Sequence, residues 1–173
     1  LILNKDIRPK LRKAFKEVPN LLLYGKPGVG KGTFTHIFLK ETKLDYLWVN
    51  SSDETGIDVM RDKIKSFATS MGVTPLKIVV LNEADSLSSG PQGAQKMLRQ
   101  LMEDVQKITR FILLANYEHL FIDEIKSRCQ VMEISNPPGV EIFKFCENIM
   151  KSERVKYNKQ TLMNIVKKCY PDI

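Results

Sequence analysis

The sequence predicts an α/β fold in which a parallel, five-stranded sheet is wound on both faces by helices. Three observations lead there. Apolar runs of strand character recur at regular intervals, segments of helical period fill the gaps between them, and the alternation stops at one proline-rich break. The runs are Leu21–Tyr24, Tyr46–Val49, Lys77–Leu81, Phe111–Ala115 and Val131–Ile134. Between the second and third, the residues Ile57, Met60, Ile64, Phe67, Ala68 and Met71 return at spacings of three and four, the period of one helix face. Ala94, Met97, Leu98, Leu101 and Met102 repeat the pattern before the fourth run. Strands that alternate with helices need crossover connections, and those give parallel pairing. Asn136-Pro137-Pro138-Gly139 then breaks the pattern. Beyond it, Val140–Ser152 and Lys159–Cys169 read as two helices with no further strand. We therefore expect an α/β domain over residues 1–136 and the start of a small helical domain over 137–173.

Composition bounds the partners. The chain has 173 residues, 43% hydrophobic and 27% charged, as an ordinary globular domain does. No apolar run approaches the roughly 18 residues that a membrane-spanning helix needs, and no secretory leader is seen, so no membrane partner is expected. Cys129, Cys146 and Cys169 are odd in number, far apart and without a Cys-x-x-Cys pair, which suits reduced cysteines inside a cell, in nucleus or cytoplasm. His36 and His119 have no partners at metal-ligand spacing. The formal charge is +7, with an isoelectric point near 9.3, a balance that favours polyanionic partners, chiefly nucleic acid. The chain opens on Leu1 and stops at Tyr170-Pro171-Asp172-Ile173 inside a polar pattern, so a longer parent protein is expected.

The first strand runs into LLLYGKPGVGKGTF, Leu21–Phe34. Gly25, Pro27, Gly28, Val29, Gly30, Lys31, Gly32 and Thr33 form a glycine-rich loop between a strand and a helix, the context that a phosphate-binding loop requires. Its glycines let backbone N–H groups converge on phosphates, and the helix N-terminus adds partial positive charge. Lys31 then reaches the outer phosphates. Gly32 stands where a hydroxyl usually ligates Mg²⁺. Thr33 follows at once, but one residue along a helix turns about 100°, so Thr33 can hold a phosphate and is poorly placed as the metal ligand. Nucleotide binding survives this reading, with metal binding weakened. The Lys-Gly-Thr ending also resembles nucleoside monophosphate kinases.

The third strand ends in Asn82-Glu83. The usual pair is Asp-Glu, in which Asp holds the Mg²⁺ shell and Glu orients the attacking water. Glu83 fits the second role. Asn82 can accept a hydrogen bond from a metal-bound water without bringing charge, and losing a charge-assisted bond typically costs about 1.5–3 kcal/mol.

Taken together, LLLYGKPGVGKGT, WVNSSDETGIDVMRDKI (48–64), NEADSLSSGPQGAQKMLRQLMED (82–104), ILLANY (112–117) and IKSRCQ (125–130) resemble the clamp-loader ATPases of the AAA+ class, the replication factor C small subunits and their phage counterparts. The Asn-x-Ser-Asp-x-x-Gly-Ile-Asp stretch and the Ser-Arg-Cys triplet are its most specific parts. The resemblance implies ATP and Mg²⁺ as cofactors and a ring of co-subunits, with a sliding clamp and primer–template DNA as partners. It implies that Asn50 is a polar switch holding the catalytic glutamate off its water, that Asn116 is the sensor of the γ-phosphate side, and that Arg128 is an arginine finger acting on the neighbouring subunit's ATP. Helices matching those with Arg61 and Lys65, and with Lys96 and Arg99, line the inside of the family's spiral, so these four are candidate DNA-backbone contacts. Each pair lies three or four residues apart and shares a helix face; a solvated basic face explains the same spacing. The family's adenine-enclosing segment would precede Leu1, and its lid arginine would follow Ile173. Three readings stay open: a hydrolysing clamp-loader subunit, a non-hydrolysing ATP-binding scaffold that lends Arg128, and a small-molecule phosphotransferase.

Overall fold

The computed structural model describes residues 7–52, 57–70, 72–87 and 93–170. Five parallel strands, β1 (Leu21–Tyr24), β2 (Asp45–Asn50), β3 (Lys77–Asn82), β4 (Thr109–Ala115) and β5 (Gln130–Glu133), lie side by side in the order β2-β3-β4-β1-β5. All five expected strands form, with ends that differ by at most two residues. Helices α1 (Arg8–Glu17), α2 (Lys31–Thr42), α3 (Ile57–Thr69), α4 (Ala94–Asp104), α5 (Asp123–Lys126), α6 (Gly139–Ser152) and α7 (Lys159–Cys169) complete the described chain. Among the described residues, no helix is long and apolar enough to cross a membrane.

The sheet divides the core in two. Leu22, Val79, Leu81, Phe111 and Leu113 face α3 and α4, meeting Met60, Ile64, Leu98 and Leu101. Leu21, Leu23, Ile78, Val80 and Ile112 face the other way, onto Leu11 of α1 and Phe34 and Phe38 of α2. Alternate residues of one strand thus enter different layers, as the two-residue repeat requires. The strands read as unbroken apolar runs because both faces are covered. The strand-and-gap pattern does not predict α1. Its apolar positions Leu11, Ala14, Phe15 and Val18 do recur at three and four, and Pro sits in its first turn, a favoured place for it.

Parallel register puts all strand C-termini on one edge. Tyr24 lies beside Ala115 and Glu133, and Asn50 lies beside Asn82. The opposite edge is tied together by Asn20, just before β1. Its side-chain oxygen accepts from the Phe111 N–H at 2.9 Å and its amide donates to the Arg128 carbonyl at 3.1 Å. Its backbone carbonyl accepts from the Gln130 N–H at 2.8 Å. One residue therefore joins β1 to both of its neighbours at their start.

Asn20→Ala leaves the N–H of Phe111, a fully buried residue, without its acceptor. We expect a loss of about 1–3 kcal/mol, read as a lower urea midpoint with the slope unchanged. A midpoint equal to that of the unmodified chain would show that water replaces the side chain.

Candidate functional site

The loop after β1 is shaped by what its backbone must avoid. Gly25 has φ +148°, and a Cβ there would lie 2.1 Å from the Ile134 carbonyl oxygen, so no other residue fits without moving β5's exit. Gly30 ends the loop in the left-handed region, φ 94°, and begins α2 with no side-chain cap. Only glycine takes that conformation freely. The same chain caps α7 with Asn158, whose side chain accepts from the Gln160 and Thr161 N–H groups at 2.8 and 3.4 Å. The first-turn N–H groups of α2 have no such acceptor, and they form the kind of helix N-terminus that binds an anion.

Lys31, the first residue of α2, folds its ammonium back over the loop. It donates to the carbonyls of Gly25 at 2.6 Å and Lys26 at 3.0 Å, and to Asn116 Oδ1 at 3.2 Å. Partial burial lowers its pKa below the usual lysine value, and the nearby Asp85 carboxylate acts against that shift. A cation held by neutral oxygens and stripped of part of its water is well prepared for a phosphate. Asn116 is fixed in turn, its backbone N–H donating to Asp85 Oδ2 at 3.0 Å. Loop lysine, β4 terminus and Asp85 thus form one connected group. Asp85 is the residue that motif reading missed, although its place two residues after Glu83 was visible.

At the end of β3, Asn82 donates from Nδ2 to Asn50 Oδ1 at 3.2 Å. The amide of Asn50, expected to restrain the glutamate, therefore meets its neighbour in register. Glu83 is exposed and adopts φ 53°, ψ 40° at the start of a short 3₁₀ turn, Ala84–Ser86. A non-glycine residue there stores of order 1–2 kcal/mol, and such strain gathers at functional sites. No described residue forms an ion pair with its carboxylate.

The donor set fits a nucleotide phosphate well. For Mg²⁺ it offers the neutral oxygens of Asn82 and Thr33 and no cluster of His, Cys, Asp or Glu among the described residues. A bound ion would keep most of its waters here. Gly32 has no atom within 4 Å of where a Cβ would stand, and its φ is not positive. The missing hydroxyl was therefore not excluded by space. Thr33 is exposed. A cavity of about 360 Å³ borders the same edge, lined by Ile7, Lys10, Tyr24, Met132, Glu133 and Ser135 among others.

Arg128 lies elsewhere. It precedes β5, and Gln130 pairs with Leu21, the first residue of β1. The four strand residues between that level and Gly25 span about 13 Å, more than an arginine side chain can cover while reaching a phosphate. Arg128 cannot serve its own loop. Its Nη1 donates to the Glu124 carbonyl at 2.7 Å, and its Nη2 meets Glu103 Oε1. Cys129, beside it, has its thiol pKa pushed up to about 12 by burial, which makes it a poor nucleophile.

The four basic candidates all lie on α3 and α4. Arg61, Lys65 and Lys96 are exposed, and Arg61 pairs with Asp62 at 3.3 Å. Arg99 is half-buried and pairs with Glu103 at 3.1 Å. Residues 53–56, the centre of the Asn-x-Ser-Asp-x-x-Gly-Ile-Asp stretch, lie outside the described residues.

Lys31→Ala removes the side-chain cation that the loop carbonyls and Asn116 hold. Nucleotide affinity measured by calorimetry should fall below detection while the thermal midpoint stays within a few degrees. Unchanged affinity would disprove the phosphate-loop assignment.

Comparison with known proteins agrees with this geometry. Residues 21–136 match the family of ATPases associated with various cellular activities, AAA. The chain is 39% identical over 167 residues to replication factor C small subunit 1 of Pyrobaculum islandicum, covering 91% of this chain and 50% of that protein. It is 38% identical to the replication factor C small subunit of Aeropyrum pernix, with the same coverage. It therefore spans about half the length of the curated relatives it matches. Among solved structures, the Thermotoga maritima RuvB Holliday junction branch migration motor aligns with a TM-score of 0.74 at 16% identity, over 95% of this chain and 56% of that one; this likeness is one of fold. The strand order, the phosphate loop at the strand C-termini and the family match lead to one conclusion: the chain belongs to the AAA family of ATPases.

Proposed function

We propose that this chain is the nucleotide-binding module of a clamp-loader subunit, which uses ATP to open a sliding clamp and place it on primer–template DNA. One observation carries the reading. The phosphate loop and Arg128 stand on opposite edges of one parallel sheet, so the arginine can act only on a nucleotide held by another chain. A subunit built this way has an incomplete site until it meets its neighbours in a ring. The likeness to replication factor C small subunits supports the same arrangement.

In this reading the loop N–H groups and the start of α2 take the phosphates. Lys31 exchanges the Gly25 and Lys26 carbonyls for the outer phosphate oxygens, and Asn116 stays beside it. The base would lie against Tyr24 and Met132 in the neighbouring cavity, whose volume suits a small ligand. Glu83 orients the attacking water, and Asn50 sets when it does so. Mg²⁺ would neutralise phosphate charge, with Asn82 and Thr33 meeting its water shell. Arg61, Lys65, Lys96 and Arg99 would hold DNA by its phosphates, which positions a duplex without reading its sequence. Residues 137–173 would begin the helical lid.

The second reading, an ATP-holding scaffold that lends Arg128 without turning over its own nucleotide, is favoured by one feature. Asn82 and Gly32 remove charge and a hydroxyl from the same side of the site. The family match favours either reading over a monophosphate kinase.

The two readings separate on restoring the usual ligands. Gly32→Thr meets no obstruction, and in Asn82→Asp the amide of Asn50 can turn to donate to the new carboxylate. The double variant should raise Mg²⁺-dependent hydrolysis in the assembled complex by more than the product of the single gains, because both groups act on one ion. Turnover unchanged from a measurable native rate would show that the native site already works.

Arg128→Ala should leave the variant's own nucleotide affinity intact and depress hydrolysis at the adjacent subunit by roughly 10³–10⁵. A mixed complex with the change in one subunit, with turnover followed site by site, checks this. A loss confined to the variant's own site would overturn the interface reading.

A further inference from the structure

Glu103 occupies a position that no motif assigned. It sits on the last turn of α4, and its Oε1 accepts from two guanidinium groups at once, Arg99 Nη1 at 3.1 Å and Arg128 Nη2. The three side chains are each about one-third exposed, at 34%, 35% and 33% in the order Arg99, Glu103, Arg128, so the pairs are screened less than surface ones. The rest of Arg128 is anchored. Its carbonyl accepts from Asn20, its N–H donates to the Ile125 carbonyl, and Nη1 holds the Glu124 carbonyl. With Nη1 on the Glu124 carbonyl, what stays adjustable is the swing of the guanidinium about that contact, and Glu103 holds its other end.

Resting on the reading above, we propose that Glu103 is a positioning residue that converts DNA binding at Arg99 into a fixed aim of the Arg128 finger toward the neighbouring subunit's nucleotide. The physical basis is a shared acceptor. Without DNA, one carboxylate oxygen is divided between two cations and orders neither fully. A DNA phosphate competes for Arg99, because a guanidinium pairs as well with phosphate as with carboxylate. Glu103, released from Arg99, can then give both oxygens to Arg128 in the two-point geometry that fixes a guanidinium plane. A finger held in one orientation loses less freedom when the reaction needs it, and misplacement by about 1 Å can cost 10²-fold in rate. Arg99 and Arg128 are 29 residues apart in sequence and are bridged by a single side chain, Glu103. No backbone movement is required.

The test is Glu103→Gln in the full-length protein, assembled with its co-subunits, with hydrolysis at the adjacent site followed with and without primer–template DNA. The DNA-free rate should stay within about twofold, while DNA stimulation falls at least about tenfold. DNA affinity from fluorescence anisotropy should rise about twofold at low salt, because Arg99 no longer gives up a carboxylate partner to bind. A loss of structure alone would not raise DNA affinity. Glu103→Asp, which keeps the charge on a shorter stem, should recover part of the stimulation. It also serves if the glutamine variant does not assemble. Unchanged DNA stimulation in Glu103→Gln, in a complex where Arg128→Ala abolishes it, would overturn the positioning role and leave the finger assignment standing. If Arg128→Ala has no effect at the adjacent site, the clamp-loader reading itself fails.

Discussion

The parallel register of β1 between β4 and β5 is the constraint on which the rest of the molecule depends. Leu21, Leu22 and Leu23 are wholly buried, two facing α1 and α2 and one facing α3 and α4. A slip of one residue would exchange those faces. It would also move Gly25 away from the Ile134 carbonyl it needs to approach. The same register sets Lys31 beside Asn116, because Tyr24 lies beside Ala115. Apolar packing of one short strand thereby decides where the site's polar groups meet.

The electrostatics of that edge depend on backbone more than on charged side chains. Three carbonyl or amide oxygens hold the Lys31 ammonium, an uncapped helix start waits beside it, and Asn82 donates to the Asn50 side chain. Asp85, locked to the Asn116 N–H, is the nearby negative charge that acts on Lys31. The opposite edge is the reverse. There, Arg99, Glu103 and Arg128 form a compact charged group, held to the sheet by the neutral side chain of Asn20. The glycine-rich loop and this charged group are thus kept apart by the length of the sheet.

How much of this is legible in the sequence follows from the range of each interaction. All five strands were legible, because strands covered on both faces read as continuous apolar runs. The phosphate loop was legible because glycine and lysine spacing is local chemistry between a strand and a helix. Helix α1 was not, since a ten-residue helix rich in Lys and Arg offers few apolar residues beside the stronger strand signals, although those few recur at helical spacing. Asp85 was passed over because the Asn82-Glu83 pair drew the motif to an end two residues early.

The sequence by itself determined the elements, their alternation and the residue types of the loop, because helix and strand periods are properties of short segments. Only the tertiary structure decided the strand order, the Asn82–Asn50 pair across 32 residues and the Lys31–Asn116 bond across 85. It alone placed Arg128 on the far edge from its own loop and joined it through Glu103 to Arg99. Those meetings depend on which strand lies beside which. That choice is made by burying apolar faces over the whole sheet, and no local pattern of polar residues records it.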